Sequence, residues 1–458
     1  MKHEIPDTLT NKGESIPVKK GLLFFGNAFS VMKDPLAFLV SLKNEYGEIV
    51  KIKIAGKAYY IVQSPEAIKH VLQENSKNYY KPGTAKLMKR FLREGLATSN
   101  GETWLKQRRI MQPAFHNKRI NGFTEIIAEE VDSLIENWKQ TPHTEPVNVN
   151  NEFLKLTLNN INKIMFGADL KTQLDRIVVI VNELLLSASG SVTSIVKFPF
   201  FIPTASNLRF RRANKEFEKI IHQIIEQRKY NKIAAKLDLL DMLMQAFDDE
   251  SKTNMTANQL RDEVATIFMA GHETTAQTLS WVFYHLALHP DTYLKILEES
   301  KAIGNDQLTI DGFKKLTYTH MVIEETMRIY PPVWVMARKS FSEDNIAGYH
   351  LPAGSTILIN IYGMNHHEKY WKNSFDFIPD RFQTHSKESR HPFLFIPFGA
   401  GQRPCIGSSL AMMVLQSVIF RLVQQFEFKI PNEFLPIVEP NITLRAKYGI
   451  RLLIKQKE

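Results

Sequence analysis

Residues Phe398–Gly407 read FGAGQRPCIG and hold the only cysteine among 458 residues. A cysteine that merely packs sits in an apolar helix or strand, where it behaves as a small hydrophobe. Cys405 instead shares a loop with Gly399, Gly401, Gly407, a proline and an arginine. The run behind it, IGSSLAMMVLQSVIFRLVQQF, has helical periodicity, so the thiol should lie at a helix N-terminus. That position carries positive potential and unpaired N–H groups, which favour the thiolate. The glycines leave room for a flat object to close over the sulfur and allow backbone N–H groups to point at it.

Few chemistries suit one such sulfur. Structural zinc asks for about four clustered ligands, and no second cysteine exists. A nucleophilic cysteine needs a nearby base, and no sequence element names one. The axial ligand of a haem needs only itself on the protein side. A haem also brings two carboxylates, which require cations if they are buried. Arg403 lies two residues before the cysteine, and GETWLKQRR puts Trp104 and Arg108 at i, i+4 on one helical face. An indole N–H and a guanidinium both seek acceptors. A surface amphipathic pair has the same spacing, so this pair speaks only together with the loop.

Composition bounds the rest. With 44% hydrophobic and 23% charged residues the chain is an ordinary globular protein, and it shows no repeat or Gly/Ser linker. We expect a polar segment over 1–20 and one folded domain over 21–458. The N-terminus MKHEIPDTLTNKGESIPVKK has no apolar segment behind its charges, and GLLFFGNAF is too short for a span of about 20 residues. No membrane anchor is expected, and the single cysteine fits a reducing, cytoplasmic setting. The formal charge of +10 is scattered, as in KQRR and RFRR, without a nucleic-acid fold signature. It suits a solvated surface or an acidic protein partner.

Along the chain, GEIVKIKIAGKAYYIVQS predicts a hairpin around Ala55-Gly56, and Pro65 opens a helix, PEAIKHVLQE. From about Trp104 to Tyr330 the pattern is helical, and β-like sequence returns in NIAGYHLPAGSTILIN and GIRLLIKQ. The expectation is a mainly α protein with a small sheet supplied by both ends. One helix should start at the capping box of Thr256 and run to about His289, through the centre of the molecule. GHETT, residues 271–275, interrupts its apolar course. Either the hydroxyls are satisfied at a bend or the bend faces a bound group.

These residues together resemble the cytochromes P-450 from about residue 20 onward. F-x-x-G-x-R-x-C-x-G is complete at Phe398, Gly401, Arg403, Cys405 and Gly407. AGHETT supplies Ala270, Gly271, Glu273, Thr274 and Thr275, EETMR supplies Glu325 and Arg328, and PDRF supplies Arg381. The resemblance implies the P-450 fold, with a long central helix over a haem b. It makes Cys405 the axial iron ligand, and Trp104, Arg108, Arg338 and Arg403 the propionate partners. Glu273 and Thr274 become the acid–alcohol pair that delivers protons to oxygen, although Glu273 could instead hold the helix bend. Glu325, Arg328 and Arg381 become a structural ionic cluster. Met321, Val322, Met327 and Ile329 make the helix of that cluster look buried.

The implied function is insertion of one oxygen atom from O2 into an apolar small molecule, with electrons from a separate ferredoxin- or flavodoxin-type protein. Lys106 and Arg109 are candidate docking cations. Val333, Trp334, Val335, Met336 and the turn near Ile442 to Leu444 should line the substrate pocket. Phe198, Phe200 and Phe201 fall where the family has a lid. Motif wording resembles soluble bacterial members that act on carotenoids or fatty acids. Peroxide-driven or O2-independent chemistry, or a non-catalytic haem sensor, are alternatives that the Glu273-Thr274 pair disfavours.

Overall fold

Thr256 opens the longest helix as its capping box asks. Its hydroxyl accepts from the Gln259 N–H at 3.2 Å, and the Gln259 side chain accepts from the Thr256 N–H at 2.9 Å. In this computed structural model, residues 15–457 are described apart from 83–85, 143, 168–175, 178, 182, 185–186, 188–201, 231–237, 249, 251, 305–307, 385–387 and 433. The helix Ala257–Leu288 runs 32 residues and ends at His289, where Pro290 starts Pro290–Ile303. Val264, Ala276, Leu279, Trp281, Val282 and Phe283 on it are wholly buried. It packs on Val149–Phe166, Thr317–Ile329 and Ser408–Gln425, so its apolar surface has neighbours on several sides.

GHETT does not interrupt this helix. The Thr274 and Thr275 hydroxyls donate to the carbonyls of Ala270 and Gly271, at 3.0 and 3.2 Å. Thr157, on the neighbouring Val149–Phe166, donates to the His272 carbonyl at 3.0 Å. Gly271 serves the same contact: a Cβ there would lie 2.6 Å from Cδ1 of Ile161. Its missing side chain lets two helices approach.

The β structure is divided. One five-stranded sheet has the order Ile49–Ile54, Lys57–Val62, Thr356–Ile359, Met336–Ser340, Tyr79–Tyr80. The expected hairpin is its first pair, turning through Ala55 and Gly56 with φ of 47° and 76°. The closing run forms Arg451–Gln456, which joins Phe426–Lys429 and Val147–Asn148 in a separate sheet. The helix opened by Pro65 covers Pro65–Lys69, capped by Ser64, and widens into a π turn over His70–Glu74. Among the described residues no helix is long and apolar enough to cross a membrane. Phe198, Phe200 and Phe201 lie outside the described residues.

Candidate active site

Cys405 lies three residues before the helix Ser408–Gln425, whose N-cap is Gly407. Its N–H donates to the Phe398 carbonyl at 2.7 Å and closes the loop on itself. Gly399 and Gly401 hold φ of 72° and 70°, a region that glycine enters freely. Gly401 is also pressed against the π turn, since a Cβ there would lie 1.9 Å from the Leu72 oxygen. The thiol is reached by solvent yet closely surrounded by protein. Burial pushes it above the ordinary thiol range, against the Gly407 N–H and the Arg108 charge. The helix-end potential therefore does not win unaided. Binding a metal would deprotonate the sulfur outright.

Around the cysteine stand cations without anions. Arg108 donates to the Pro404 carbonyl at 2.9 Å, and Arg403 donates to the Ser99 carbonyl at 2.9 Å while lying 4.2 Å over the Trp104 ring. Arg338 is buried, and its one described hydrogen bond goes to the carbonyl of Ala337 at 2.9 Å. Lys81, a residue that sequence reasoning missed, donates to the Ala97 carbonyl at 2.8 Å. Burial lowers Arg338 to about 10 and, with repulsion from Arg338, lowers Arg403 to about 10. Lys81 falls to about 7, through burial and then repulsion from Arg338 and Arg403. Among the described residues no carboxylate pairs with Lys81, Arg108, Arg338 or Arg403. Buried unpaired charges cost several kcal/mol each. This donor set fits a ligand that brings two carboxylates beside the thiol, as a haem does. Lys81 belongs to no short motif; its only local signal is the lysine in YYKPG.

Across the central helix, Ala270 is exposed and Thr274 half-exposed, within a stretch whose other residues from Leu260 to Leu286 are mostly buried. Glu273 is buried and accepts from the Thr443 hydroxyl at 2.8 Å. Burial raises its carboxyl above the usual range, against the Thr443 hydrogen bond and the Arg445 charge. No described hydrogen bond joins Glu273 to Thr274, because adjacent helical positions diverge by about 100°. His272 turns into the core, its Nδ1 3.1 Å from the Phe268 carbonyl oxygen, and burial lowers it to about 4.

The expected ionic cluster is assembled. Arg328 donates to both Glu325 oxygens at 2.7 and 2.8 Å, and Arg381 donates to the same carboxylate at 3.3 Å. Arg328 also donates to the carbonyls of Asn365, Ser374 and Asp376, and Glu325 accepts from the Ile378 N–H. Glu325 and Arg328 are wholly buried, and the network ties Thr317–Ile329 to the segment before the cysteine loop.

Other expectations divide. Thr443 reaches Glu273, and the Leu444 N–H donates to the Pro332 carbonyl at 3.1 Å, so the C-terminal turn does approach the central helix. Trp334 is held elsewhere: its indole donates to the Asn441 carbonyl at 2.8 Å and it packs against the cluster that includes Phe38, Leu39 and Ile61. Met336 likewise packs against the sheet core. Arg109 is committed to Asp248 and Glu250, which neutralise it. Lys106 donates to the Thr253 hydroxyl at 2.6 Å and remains free of an acidic partner among the described residues.

A cytochrome P450 family model matches residues 16–454. Cytochrome P450 4A12B of Mus musculus is 28% identical over 98% of this chain and 91% of its own length. Cytokinin hydroxylase of Arabidopsis thaliana is 30% identical over 80% of this chain and 72% of its own length. Protein LUTEIN DEFICIENT 5, chloroplastic, also of Arabidopsis thaliana, is 27% identical over 90% and 72%. These relatives come from a mammal and a plant and give no support to the expected bacterial likeness. A thiol in a glycine cradle, unpaired cations around it and a buried Glu–Arg–Arg network thus coincide with a match over nearly the whole sequence: the chain belongs to the cytochrome P450 family and is a monooxygenase.

Proposed function

We propose that this enzyme holds a haem b through Cys405 and uses O2 to hydroxylate an apolar small molecule of the fatty-acid or isoprenoid kind. The observation that carries the reading is the set of desolvated, unpaired cations beside the one thiol. Arg108, Arg338, Arg403 and Lys81 would neutralise the two propionates, with Trp104 as a neutral donor and as a platform for Arg403. Phe398, Gly401 and Gly407 shape the loop, and the Gly407 N–H steadies the sulfur. When bound, the haem supplies oxygen activation, which a thiolate ligand favours by donating electron density.

The chain's own residues then manage protons and water. Ala270, exposed, leaves its face of the central helix open. Thr274 offers a hydroxyl there, although in the protein alone that hydroxyl rests on the Ala270 carbonyl. Glu273, its carboxyl raised above the usual range by burial, is placed to pass a proton inward by way of Thr443 or water. Gly271, counted from sequence among haem contacts, also lets the central helix approach Ile161. Electrons would come from a separate ferredoxin- or flavodoxin-type protein, with Lys106 rather than Arg109 as a docking cation. A relative is named for lutein, an isoprenoid, which supports that end of the substrate range. The protein would work in the cytoplasm.

The test is a screen of fatty acids and isoprenoids for a ligand-induced spin-state shift, followed by turnover under isotopically labelled O2. Label in the product supports the reading. Product formed only with added peroxide, and unlabelled by O2, contradicts it in favour of a peroxygenase. Thr274→Ala should keep consuming reductant while product falls and peroxide accumulates.

A further inference from the structure

An open cleft of about 420 Å³ plays no part in the catalytic account, and its volume falls in the range of small-ligand pockets. It lies where the start of Pro65–Lys69 meets residues 369–371 and 389–394, and the last of these segments runs on into the cysteine loop. Hydrogen-bond donors crowd its wall. The guanidinium of Arg390 sits 4.5 Å from the Trp371 ring centroid and 4.6 Å from that of Phe382, and it donates to the Arg381 carbonyl at 2.6 Å. Two rings thus fix its plane, and its remaining N–H groups have no partner among the described residues. His391 Nδ1 accepts from the Phe393 N–H at 3.1 Å, which leaves Nε2 as a donor. Trp371 is 2% exposed, yet its indole N–H finds no partner, a costly state for a buried donor.

Negative charge is scarce beside these donors. Glu66 is the one carboxylate among the described residues of the wall. Lys369 is exposed and has no acidic partner among the described residues, while Arg381 spends its charge on Glu325. Lys43 stands behind Tyr370, 5.6 Å from the ring centroid, and burial followed by repulsion from Lys369 lowers it, against Glu48 and Glu66. Glu324 and Glu325 act on Arg390 from Thr317–Ile329, but burial outweighs them and lowers the guanidinium.

We propose that this cleft binds the phosphate monoester of a small metabolite, with the phosphate on Arg390, Lys369 and His391 and the organic part toward Tyr370. A phosphate carries up to two charges and three acceptor oxygens, which suits a fixed guanidinium, an ammonium and an imidazole N–H that converge from different segments. A guanidinium held flat between rings loses little freedom when it engages the oxygens in pairs. The ligand would tie residues 369–371 to the segment that enters the cysteine loop, so it should stabilise the folded chain by mass action.

Isothermal titration calorimetry on the haem-loaded full chain tests this, with ribose 5-phosphate as the probe and ribose and inorganic phosphate as controls. Ribose 5-phosphate should bind saturably with a Kd below about 1 mM, more weakly as salt rises, and should raise the melting temperature. Ribose should not bind, and inorganic phosphate should bind more weakly than the ester. The haem absorption spectrum should stay unchanged, because the ligand sits outside the oxygen-activating site. Arg390→Gln should weaken binding at least about tenfold. Should that variant fold poorly, Lys369→Glu decides: it alters an exposed side chain and should also weaken binding about tenfold. Absence of saturable binding, or a Lys369→Glu protein that binds like wild type, would overturn the proposal. So would ribose or inorganic phosphate binding as tightly as the ester, or a ligand-induced spin-state shift, which would put the probe beside the haem.

Discussion

Gly401 shows how a single hydrogen atom can govern a site. Its φ of 70° and the 1.9 Å separation between a hypothetical Cβ and the Leu72 oxygen leave no place for a methyl group. Gly401→Ala should displace the loop from the π turn, cost at least about 1–2 kcal/mol for the left-handed backbone alone, and lower the retained haem. Haem content and thermal melting measure this, and a variant that loads normally would refute the fit. Glu273 poses a sharper question, because its carboxylate both ties the C-terminal turn and can carry a proton. Glu273→Gln keeps an acceptor for Thr443 and removes the titratable group. Product formation should fall on the order of 100-fold, with melting unchanged, if the proton matters. Thr443→Val should instead destabilise by about 1–3 kcal/mol, since it leaves a buried carboxyl oxygen unpaired. Full turnover in Glu273→Gln would make Glu273 a structural tie.

At the scale of elements, the network of Glu325, Arg328 and Arg381 is the joint between one helix and the segment that leads to the cysteine. Glu325→Ala leaves Arg328 as a charge in a wholly buried position and should cost about 3–5 kcal/mol, so that little haem-loaded protein survives purification. Normal yield and haem content would show that the joint is dispensable. This network, the cysteine loop and the Thr256 capping box were legible in the sequence because each is written in residues a few positions apart. The hairpin at Ala55-Gly56 was legible for the same reason. Lys81, Trp334 and the Glu273–Thr443 bond were not. Lys81 reaches Arg338 and Arg403 only through the fold, Trp334 finds its acceptor 107 residues away, and Thr443 lies 170 residues from Glu273. Local periodicity says that such side chains are amphipathic, and it does not say which neighbour they meet. The pairing of Arg109 was hidden for a like reason, since Asp248 stands 139 residues on.

At the scale of the whole molecule, the proposed docking of an electron donor is tested at the surface. Lys106→Glu should slow electron delivery from an acidic donor protein, most at low ionic strength, where screening is weakest. Reduction kinetics that match wild type at every salt concentration would remove Lys106 from the docking face. Inward, the protein carries a cluster of cations that repel one another until an anion arrives. Burial, with repulsion from Arg338 and Arg403, lowers Lys81 to about 7, well below the ordinary lysine value of 10.5. Below pH 7 its charge opposes folding in full, and that opposition fades as pH rises toward 10.5. The melting temperature of haem-free protein should therefore climb across this window, and Lys81→Met should flatten the climb. No difference between the two profiles would mean that Lys81 is better solvated than its surroundings suggest. The account as a whole rests on sulfur bound to iron. The carbon monoxide difference spectrum of the reduced protein, taken for wild type and for Cys405→Ser, tests it most directly. Wild type should show the long-wavelength band of thiolate ligation and the variant should lose it; an unchanged spectrum in the variant would contradict the assignment.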